Sequence, residues 1–184
     1  MAAVIPAQTG REVFLGPEEL IISKTDPSGH ITYANRVFMR IVAMNEDGLL
    51  GKPHNIIRHP DMPRGAFRLL WKTLQSDREF FGVVKNFTAK GDFYWVFANI
   101  TPDLDMSGKL QGYFSVRRQA ERRAIEALEP VYAEMRRIEA GCSRAEAPDV
   151  SMNWLIETLA SQGTDYESFI LGLYGSAPAG GAAR

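Results

Sequence analysis

The chain has one cysteine, three histidines and no apolar run long enough to cross a bilayer. Because Cys142 is alone, an internal disulfide and a zinc site built from several thiolates are excluded. The histidines, His30, His54 and His59, lack the HExxH spacing of a helical zinc site, so no structural metal is expected. The apolar runs fall well short of the about 20 residues that span a membrane.

Neither sign of charge is in excess, since the chain has 21 Lys and Arg and 22 Asp and Glu, for a net charge of −1. Such a chain has no general attraction to nucleic acid or to an anionic membrane, and neither is expected as a partner. The N-terminus lacks a basic region followed by an apolar stretch, so no signal peptide and a cytoplasmic location are predicted. The length of 184 residues suits one domain with extensions.

The apolar pattern predicts the element order β-β-α-α-α-β-β-β. Residues 20–25 and 31–33 read as a hairpin around an Asp-Pro-Ser-Gly-His turn, and a block of short helices follows. Residues 80–88, 93–101 and 110–118 then alternate as three long strands. Because strands and helices are segregated along the chain, the order predicts an α+β fold rather than a doubly wound sheet.

The C-terminal third is predicted to be helical. Ile125, Leu128, Tyr132 and Met135 follow a heptad-like spacing, although Pro130 should kink or restart that helix. The expected division is a flexible N-terminal cap at 1–18, the main domain at 19–118, a signalling or dimerisation helix at 119–140, amphipathic helices at 149–175 and a disordered tail at 176–184.

The segment 53–63, Pro-His-Asn-Ile-Ile-Arg-His-Pro-Asp-Met-Pro, is the most polar and proline-rich stretch between apolar elements. Proline fixes its own φ and restricts the preceding residue, so this connector should be stiff and irregular. Its polar side chains are expected to line a cavity or the rim of one. The alternative is a capped surface turn.

Several stretches together resemble one family. They are Ile-Thr-Tyr-Ala-Asn at 31–35, Gly-Lys-Pro-His-Asn at 51–55, Arg-His-Pro-Asp-Met-Pro at 58–63, Val-Lys-Asn at 84–86 and Gly-Asp-Phe-Tyr-Trp-Val at 91–96. Over residues 15–140 the chain resembles PAS domains, and the two connector segments resemble the FAD-binding PAS sensors of bacterial aerotaxis receptors. The resemblance implies a five-stranded antiparallel sheet with short helices on one face, an N-terminal cap, C-terminal helices and bound FAD.

Strand alternation and the resemblance together give the candidate cofactor-binding residues. They are Arg58, His59, Asp61, His54, Asn55, Asn86, Trp71, Phe80, Val96, Ala98, Ser115 and Arg117. Asn86 is the candidate for a flavin's pyrimidine edge, because an amide donates and accepts side by side; otherwise it is satisfied by solvent. Arg58 is the candidate for a phosphate or carbonyl oxygen; otherwise it forms a surface salt bridge with Asp61. Phe80 stands where flavin-binding relatives tend to carry Trp, so it can stack but offers no N–H.

The function that this resemblance implies is a redox or oxygen sensor that passes the state of its flavin to a separate signalling protein, of chemoreceptor or kinase type. Changed hydrogen bonds at Asn86 or Arg117 would reach the terminal helices through the sheet. One alternative is a haem-binding gas sensor with His54 or His59 on the iron. Another is a cofactor-free interaction module. An enzyme is not expected, since no nucleophile–base pair and no phosphate-binding glycine loop is found.

The strand pattern also predicts a bulky apolar face formed by Phe93, Trp95, Phe97, Phe114 and Val116. Such a face needs cover from the Val-Phe-Leu anchor at 13–15, from the C-terminal helices or from a second subunit. Coverage by a terminal segment together with a homodimer is expected.

Overall fold

The computed structural model describes residues 7–175, and the elements below belong to that range. They are β1 (Ile21–Thr25), β2 (Ile31–Ala34), α1 (Arg36–Val42), α2 (Glu46–Leu49), a 3-10 turn (His54–Ile57), α3 (Arg64–Leu74), β3 (Phe80–Phe87), β4 (Phe93–Leu104), β5 (Leu110–Gln119), α4 (Arg122–Ala140), α5 (Ala147–Ser161) and α6 (Tyr166–Gly175). The predicted α+β class and element order are confirmed. The first residues of the cap and the predicted disordered tail at 176–184 lie outside the described residues.

The strands form one antiparallel sheet in the order β2-β1-β5-β4-β3. Because β1 pairs with β5, the N-terminal hairpin joins the C-terminal strands directly. The register places Ser23 opposite Ser115 and Ala98 opposite Arg117. Small and polar side chains of three neighbouring strands therefore share one face, which we call the inner face.

Asn35 joins the first hairpin to the first helix. Its side-chain oxygen accepts hydrogen bonds from the Phe38 amide at 2.9 Å and the Ile22 amide at 3.1 Å. Its amide nitrogen donates to the Leu20 carbonyl at 2.8 Å. One N-cap side chain thus satisfies an otherwise unpaired donor of α1 and fixes the helix against β1.

The outer face of the sheet is covered over β3 and β4 by the C-terminal helices. Trp95 and Phe97 pack in one buried cluster with side chains of α4, α5 and α6. The predicted heptad seam of α4, namely Ile125, Leu128, Tyr132 and Met135, is buried in this same cluster. These residues therefore complete the core of a single chain.

Helix α4 runs without a break from Arg122 to Ala140, with Pro130 inside it. The predicted restart at Pro130 is therefore wrong. Pro130 and Glu126, whose carbonyl loses its partner four residues on, both lie on the exposed side of the helix. Water can hydrate that carbonyl, so the missing hydrogen bond is tolerated.

The N-terminal segment lies along the β3–β4 hairpin. The Thr9 amide donates to the Gly91 carbonyl at 3.0 Å, and the Val13 amide donates to the Phe93 carbonyl at 2.7 Å. Leu15 is buried in the inner-face core, whereas Phe14 is 58% exposed. The 13–15 anchor was expected as possible cover for the bulky face, and that expectation is wrong, because its buried residue packs on the inner side.

The other half of the outer face, over β1 and β5, is less covered. Phe114 and Val116 are half-buried, and the Lys24 ammonium lies 5.7 Å from the centre of the Phe114 ring. Terminal helices thus cover Trp95 and Phe97 but leave these two partly open. Across residues 7–175, no helix combines the length and apolar character that a bilayer crossing requires.

Helix α3 lies close against α5 at Gly65, which gives the first test. A Cβ at this position would lie 2.2 Å from Ser151 Oγ and 2.7 Å from the Met152 nitrogen. We expect Gly65→Ala to lower the free energy of unfolding by about 1–2 kcal/mol, since overpacking outweighs the gain in helix propensity. Urea unfolding measures the change.

Gly48→Ala is the matched control, because a Cβ there has only Met44 Cβ nearby, at 3.7 Å. It should leave stability unchanged or raise it by up to about 1 kcal/mol. A Gly65→Ala variant as stable as the parent would show that this approach is not a tight constraint.

Candidate functional site

A cavity of about 320 Å³ lies between the inner face of the sheet, the connector and α3. The strands contribute Ser23, Thr25, Val84, Asn86, Ala98, Ile100, Tyr113, Ser115 and Arg117. The β1–β2 turn, the connector and α3 contribute Ser28, Gly29, Pro53, His54, Asn55, Arg58, Phe67, Leu70, Trp71 and Leu74. The walls are mainly apolar with a few convergent polar groups, which is the usual make-up of a small-molecule site.

Arg117 carries a charge into the sheet side of this cavity. The residue is 4% exposed, and its Nη2 donates to Ser23 Oγ at 3.0 Å and contacts His54 Nε2 at 2.7 Å. Both partners are uncharged. Burial lowers the pKa of Arg117 to about 10, so the guanidinium still carries its charge at neutral pH.

His54 is held in the neutral form by the same contact. A guanidinium can only donate, so His54 Nε2 accepts and the ring proton lies on Nδ1. Burial, followed by the charge of Arg117, lowers the pKa of His54 well below its usual 6.5. The ring stacks on Phe38, with centroids 5.9 Å apart. His54 therefore fixes Arg117 without neutralising it.

Arg58 brings a second cation from the connector. Its guanidinium lies 3.5 Å from the centre of the Phe67 ring of α3, and its backbone forms an isolated bridge with Asn86 of β3. Burial lowers the pKa of Arg58 to about 10, the charge of Arg64 acts in the same direction, and the charge of Glu139 opposes it. Stacking on an aromatic face stabilises a cation but leaves its N–H groups free to donate.

Three residues that line this cavity each carry a buried polar atom with no hydrogen-bond partner among the described residues: Arg58 Nε, Arg117 Nη1 and Ser115 Oγ. Buried donors and hydroxyl groups are nearly always paired, because leaving one unpaired costs about 1–3 kcal/mol. Their convergence on one cavity indicates a site for a ligand with several acceptor atoms.

The second half of the connector forms a separate cluster. His59 is 2% exposed and packs on Phe87, with ring centroids 4.2 Å apart. Lys85 Nζ donates to the Asp61 carboxylate at 2.6 Å, and Arg136 of α4 donates to the Asp61 carbonyl. Burial works against the charged form of Asp61, but the hydrogen bond and charge of Lys85 lower its pKa overall. This cluster ties the connector to β3 and α4.

The structure brings eight of the twelve predicted site residues together around the cavity: Arg58, His54, Asn55, Asn86, Trp71, Ala98, Ser115 and Arg117. The other four lie elsewhere. His59 and Asp61 belong to the connector cluster, and Asp61 pairs with Lys85 rather than with Arg58, the alternative considered from the sequence. Phe80 stacks on Tyr166 of α6, and Val96 is buried in the inner core.

Sequence reasoning missed the contribution of β1 and, apart from Trp71, that of α3. Ser23 and Thr25 share one face of β1 with the buried Ile21, and they become site candidates once β1 is known to pair with β5. Phe67, Leu70 and Leu74 follow the i, i+3, i+7 spacing of an inward-facing helical stripe, and in the structure this stripe forms one wall of the cavity. Periodicity shows that such a stripe faces inwards but does not show whether space lies beneath it.

Comparisons with known proteins agree with this architecture. A family model described as PAS fold matches residues 31–117. The aerotaxis receptor of Escherichia coli (strain K12) is 40% identical over 127 residues, which are 69% of this chain and 25% of that protein. A nitrogen fixation regulatory protein of Klebsiella pneumoniae is 32% identical over 97 residues, 53% of this chain and 20% of that protein. The chain thus spans about a quarter or less of the length of these relatives.

Solved structures give the same fold. A light-oxygen-voltage domain studied with a flavin analogue superposes with a TM-score of 0.53 at 20% identity, covering 62% of this chain and 86% of that chain. The light state of the blue-light photoreceptor Aureochrome1 LOV gives a TM-score of 0.52 at 17% identity, covering 65% and 91%. At these identities the likeness concerns the fold alone.

The buried His59 and the half-buried His54 predict a pH dependence of stability. Burial and the charge of Lys85 lower the pKa of His59 to about 4, and the pKa of His54 is lowered as described. In the unfolded chain both titrate near about 6.5, so below that pH the unfolded state binds more protons. The unfolding free energy should therefore decrease as the pH is lowered from about 7 to about 5. The decrease is at most about 1.4 kcal/mol per pH unit for each histidine.

Urea unfolding across this pH range measures the slope. His59→Gln should flatten it, whereas His30→Gln, in the exposed β1–β2 turn, should leave it unchanged. A slope that His59→Gln does not alter would mean that His59 titrates alike in the folded and unfolded chains.

Proposed function

Residues 31–117 of this chain are a PAS sensor domain, and we propose that the domain binds FAD in its cavity as a redox or oxygen sensor. The relatives reported above are an aerotaxis receptor and a regulator of nitrogen fixation, which supports a sensory role. The solved neighbours include a light-oxygen-voltage domain studied with a flavin analogue, which supports a flavin.

The observation that carries the proposal is the set of unpartnered buried atoms, Arg58 Nε, Arg117 Nη1 and Ser115 Oγ. Two of them are donors and the third can donate or accept. A flavin ring has carbonyl oxygens and ring nitrogens along one edge, so these residues fit its chemistry. Asn86, 5% exposed on the same face, adds an amide that can donate and accept. Phe67, Leu70 and Ile100 give apolar walls for a flat ring.

Bound flavin would supply the ability to take up and release electrons. The chain's own residues set how easily that happens. Arg117 and Arg58 are both positively charged at neutral pH, and the hydrogen-bond partners of Arg117 are neutral. In a site shielded from water, such charges stabilise added negative charge more than they would in solution. His54 keeps Arg117 aimed into the cavity.

The cavity volume is at the lower end of the about 300–1,000 Å³ typical of ligand sites. We therefore expect it to enclose the ring system, and the rest of a dinucleotide would lie outside it. The bound compound is proposed to be FAD, and mass determination of the released compound distinguishes it from FMN.

The domain is proposed to pass its redox state to a separate signalling protein of chemoreceptor or kinase type through its terminal helices. A homodimer is proposed as well. The less covered half of the outer face supports it, because Tyr33, Phe114 and Val116 are exposed or half-buried there. No enzymatic activity is proposed. The proposed division of the chain is the one expected from the sequence. Residues 119–140 and 149–175 are proposed as the output helices.

A haem-binding sensor is the second candidate, since His54 lines the cavity. His54 Nε2 already contacts the Arg117 guanidinium, and a bond to iron would require that contact to open. His59, the other proposed iron ligand, lies outside the cavity against Phe87. A cofactor-free interaction module would leave three buried polar atoms without partners. Both arrangements are less favourable than a flavin.

The visible spectrum of the purified protein tests the cofactor. We expect paired bands near about 370 and 450 nm, the pattern of an oxidised flavin. One intense band near about 400–430 nm would instead indicate haem and overturn the proposal. Protein that is colourless, and that stays so after incubation with FAD, would favour the interaction module.

Arg117→Met tests the role of the buried guanidinium. Loss of its charge-assisted hydrogen bonds should weaken FAD binding about 10–100-fold, measured by fluorescence titration of the ligand-free protein. The unfolding free energy of that protein should change by less than about 2 kcal/mol, because removal of a buried charge offsets the donors lost to Ser23 and His54.

Arg118→Met is the matched control, since Arg118 is the exposed neighbour on the opposite face, 5.0 Å from the centre of the Phe97 ring. It should leave FAD affinity within about twofold of the parent. Equal losses in the two variants would mean that binding does not depend on the cavity cation.

A further inference from the structure

Helix α3 has no N-terminal side-chain cap of its own. Its N-cap residue is Pro63, which makes no side-chain hydrogen bond to the helix. The cap comes from α4 instead. Glu139 Oε2 accepts from the Arg64 amide at 3.0 Å, and Glu139 Oε1 accepts from the Gly65 amide at 2.9 Å. A carboxylate at this end satisfies unpaired donors and complements the helix dipole.

The same carboxylate also holds α5. Ser151 Oγ donates to Glu139 Oε1 at 2.6 Å, so three donors from two helices meet on one side chain of a third. Gly65 makes this possible, because any side chain there would occupy the space of Ser151 Oγ. Hydrogen bonds to the Glu139 carboxylate thus join α3, α4 and α5 at one point, in addition to their apolar packing.

This point lies at the end of the connector that carries Arg58. Between Arg58 and Arg64 the chain is stiffened by Pro60 and Pro63 and is held by the Asp61 contacts with Lys85 and Arg136. Arg58 also stacks on Phe67, which belongs to the first turns of α3. A shift of Arg58 is therefore coupled to the start of α3.

Glu139 and Arg58 also act on each other through charge. Glu139 is the carboxylate that raises the pKa of Arg58 against the effect of burial. Arg58 Nε has no partner among the described residues, so a ligand oxygen bound there would add negative charge beside the cation whose charged form Glu139 also favours. A switch needs such a difference in contacts between its two states.

We propose that Glu139 is a latch that passes the state of the cavity, through Arg58 and the connector, to α4 and α5. The latch itself is independent of the ligand's identity, whereas its response to redox state rests on the proposed function. The route differs from transmission through the sheet, in which Tyr132, whose hydroxyl donates to the Val83 carbonyl at 2.7 Å, would be the link to α4.

Hydrogen–deuterium exchange of the full ligand-free chain tests the latch first. Glu139→Gln should speed exchange of amides at the start of α3 and in α5 about tenfold, because one amide cannot accept all three hydrogen bonds. Ser151→Ala should speed exchange in α5 alone.

Glu134→Gln is the matched control on the same helix, where Glu134 pairs with Arg137 near the surface. It should stay within about twofold of the parent. Equal effects of Glu139→Gln and Glu134→Gln would overturn the latch.

A double-mutant cycle tests the coupling. Arg58→Ala should change exchange in α5 several-fold in the parent and by less than about twofold in the Glu139→Gln background. Additive effects would overturn the proposed route. If Tyr132→Phe instead abolishes the response to Arg58→Ala, the sheet carries the signal and the latch proposal is wrong.

Reduction of FAD-loaded protein tests the link to function. We expect exchange in α5 to change several-fold on reduction in the parent and to stay constant in Glu139→Gln. A response that Glu139→Gln retains overturns the latch but leaves the flavin sensor intact. Failure of the parent to bind FAD overturns the proposed function, while the Arg58–Glu139 cycle in the ligand-free chain still decides the latch.

Discussion

The Arg117 guanidinium lies on the inner face of the sheet, 4% exposed, with Ser23 and His54 as its hydrogen-bond partners. Burying a charge costs several kcal/mol unless opposite charge or several hydrogen bonds compensate. Here the compensation is partial, since Nη1 has no hydrogen-bond partner within residues 7–175 and the pKa of Arg117 is lowered to about 10. Ser23 of β1 and His54 of the connector both hold this one cation, and its charge, together with burial, keeps His54 neutral.

Strands β3 and β4 make such a site possible because they are buried on both faces. Their inner side chains line the cavity, and their outer side chains, among them Trp95 and Phe97, lie under α4, α5 and α6. The apolar burial on the outer side, at about 25 cal/mol for each Å², offsets the unfavourable polar burial on the inner side. The C-terminal helices therefore stabilise the domain, and they are separated from the cavity by the thickness of the sheet.

Sequence reasoning found the element order because hydrophobic period distinguishes strand from helix. It found Ala98, Ser115 and Arg117 on one face because side chains alternate along a strand. The same rule placed Val96 and Phe80 in the site, and there it failed. Alternation fixes the face but not the distance along the strand, which depends on where α1, α3 and α6 pack. Ser23 was missed because the pairing of β1 with β5 is non-local.

The Arg-His-Pro-Asp-Met-Pro segment shows why a motif rich in polar groups need not be a ligand set. Only Arg58 of this segment lines the cavity. His59 is neutral near pH 7, since its pKa is lowered to about 4. Its Nδ1 accepts a hydrogen bond from the Asp61 amide at 3.1 Å. Asp61 holds Lys85 and Arg136, and Met62 accepts the Lys85 amide through its sulfur at 3.3 Å. The segment thus acts as a joint between the cavity wall, the edge strand β3 and α4. A substitution at His59 or Asp61 would alter the cavity only by moving Arg58, and it would disturb the seat of the C-terminal helices at the same time.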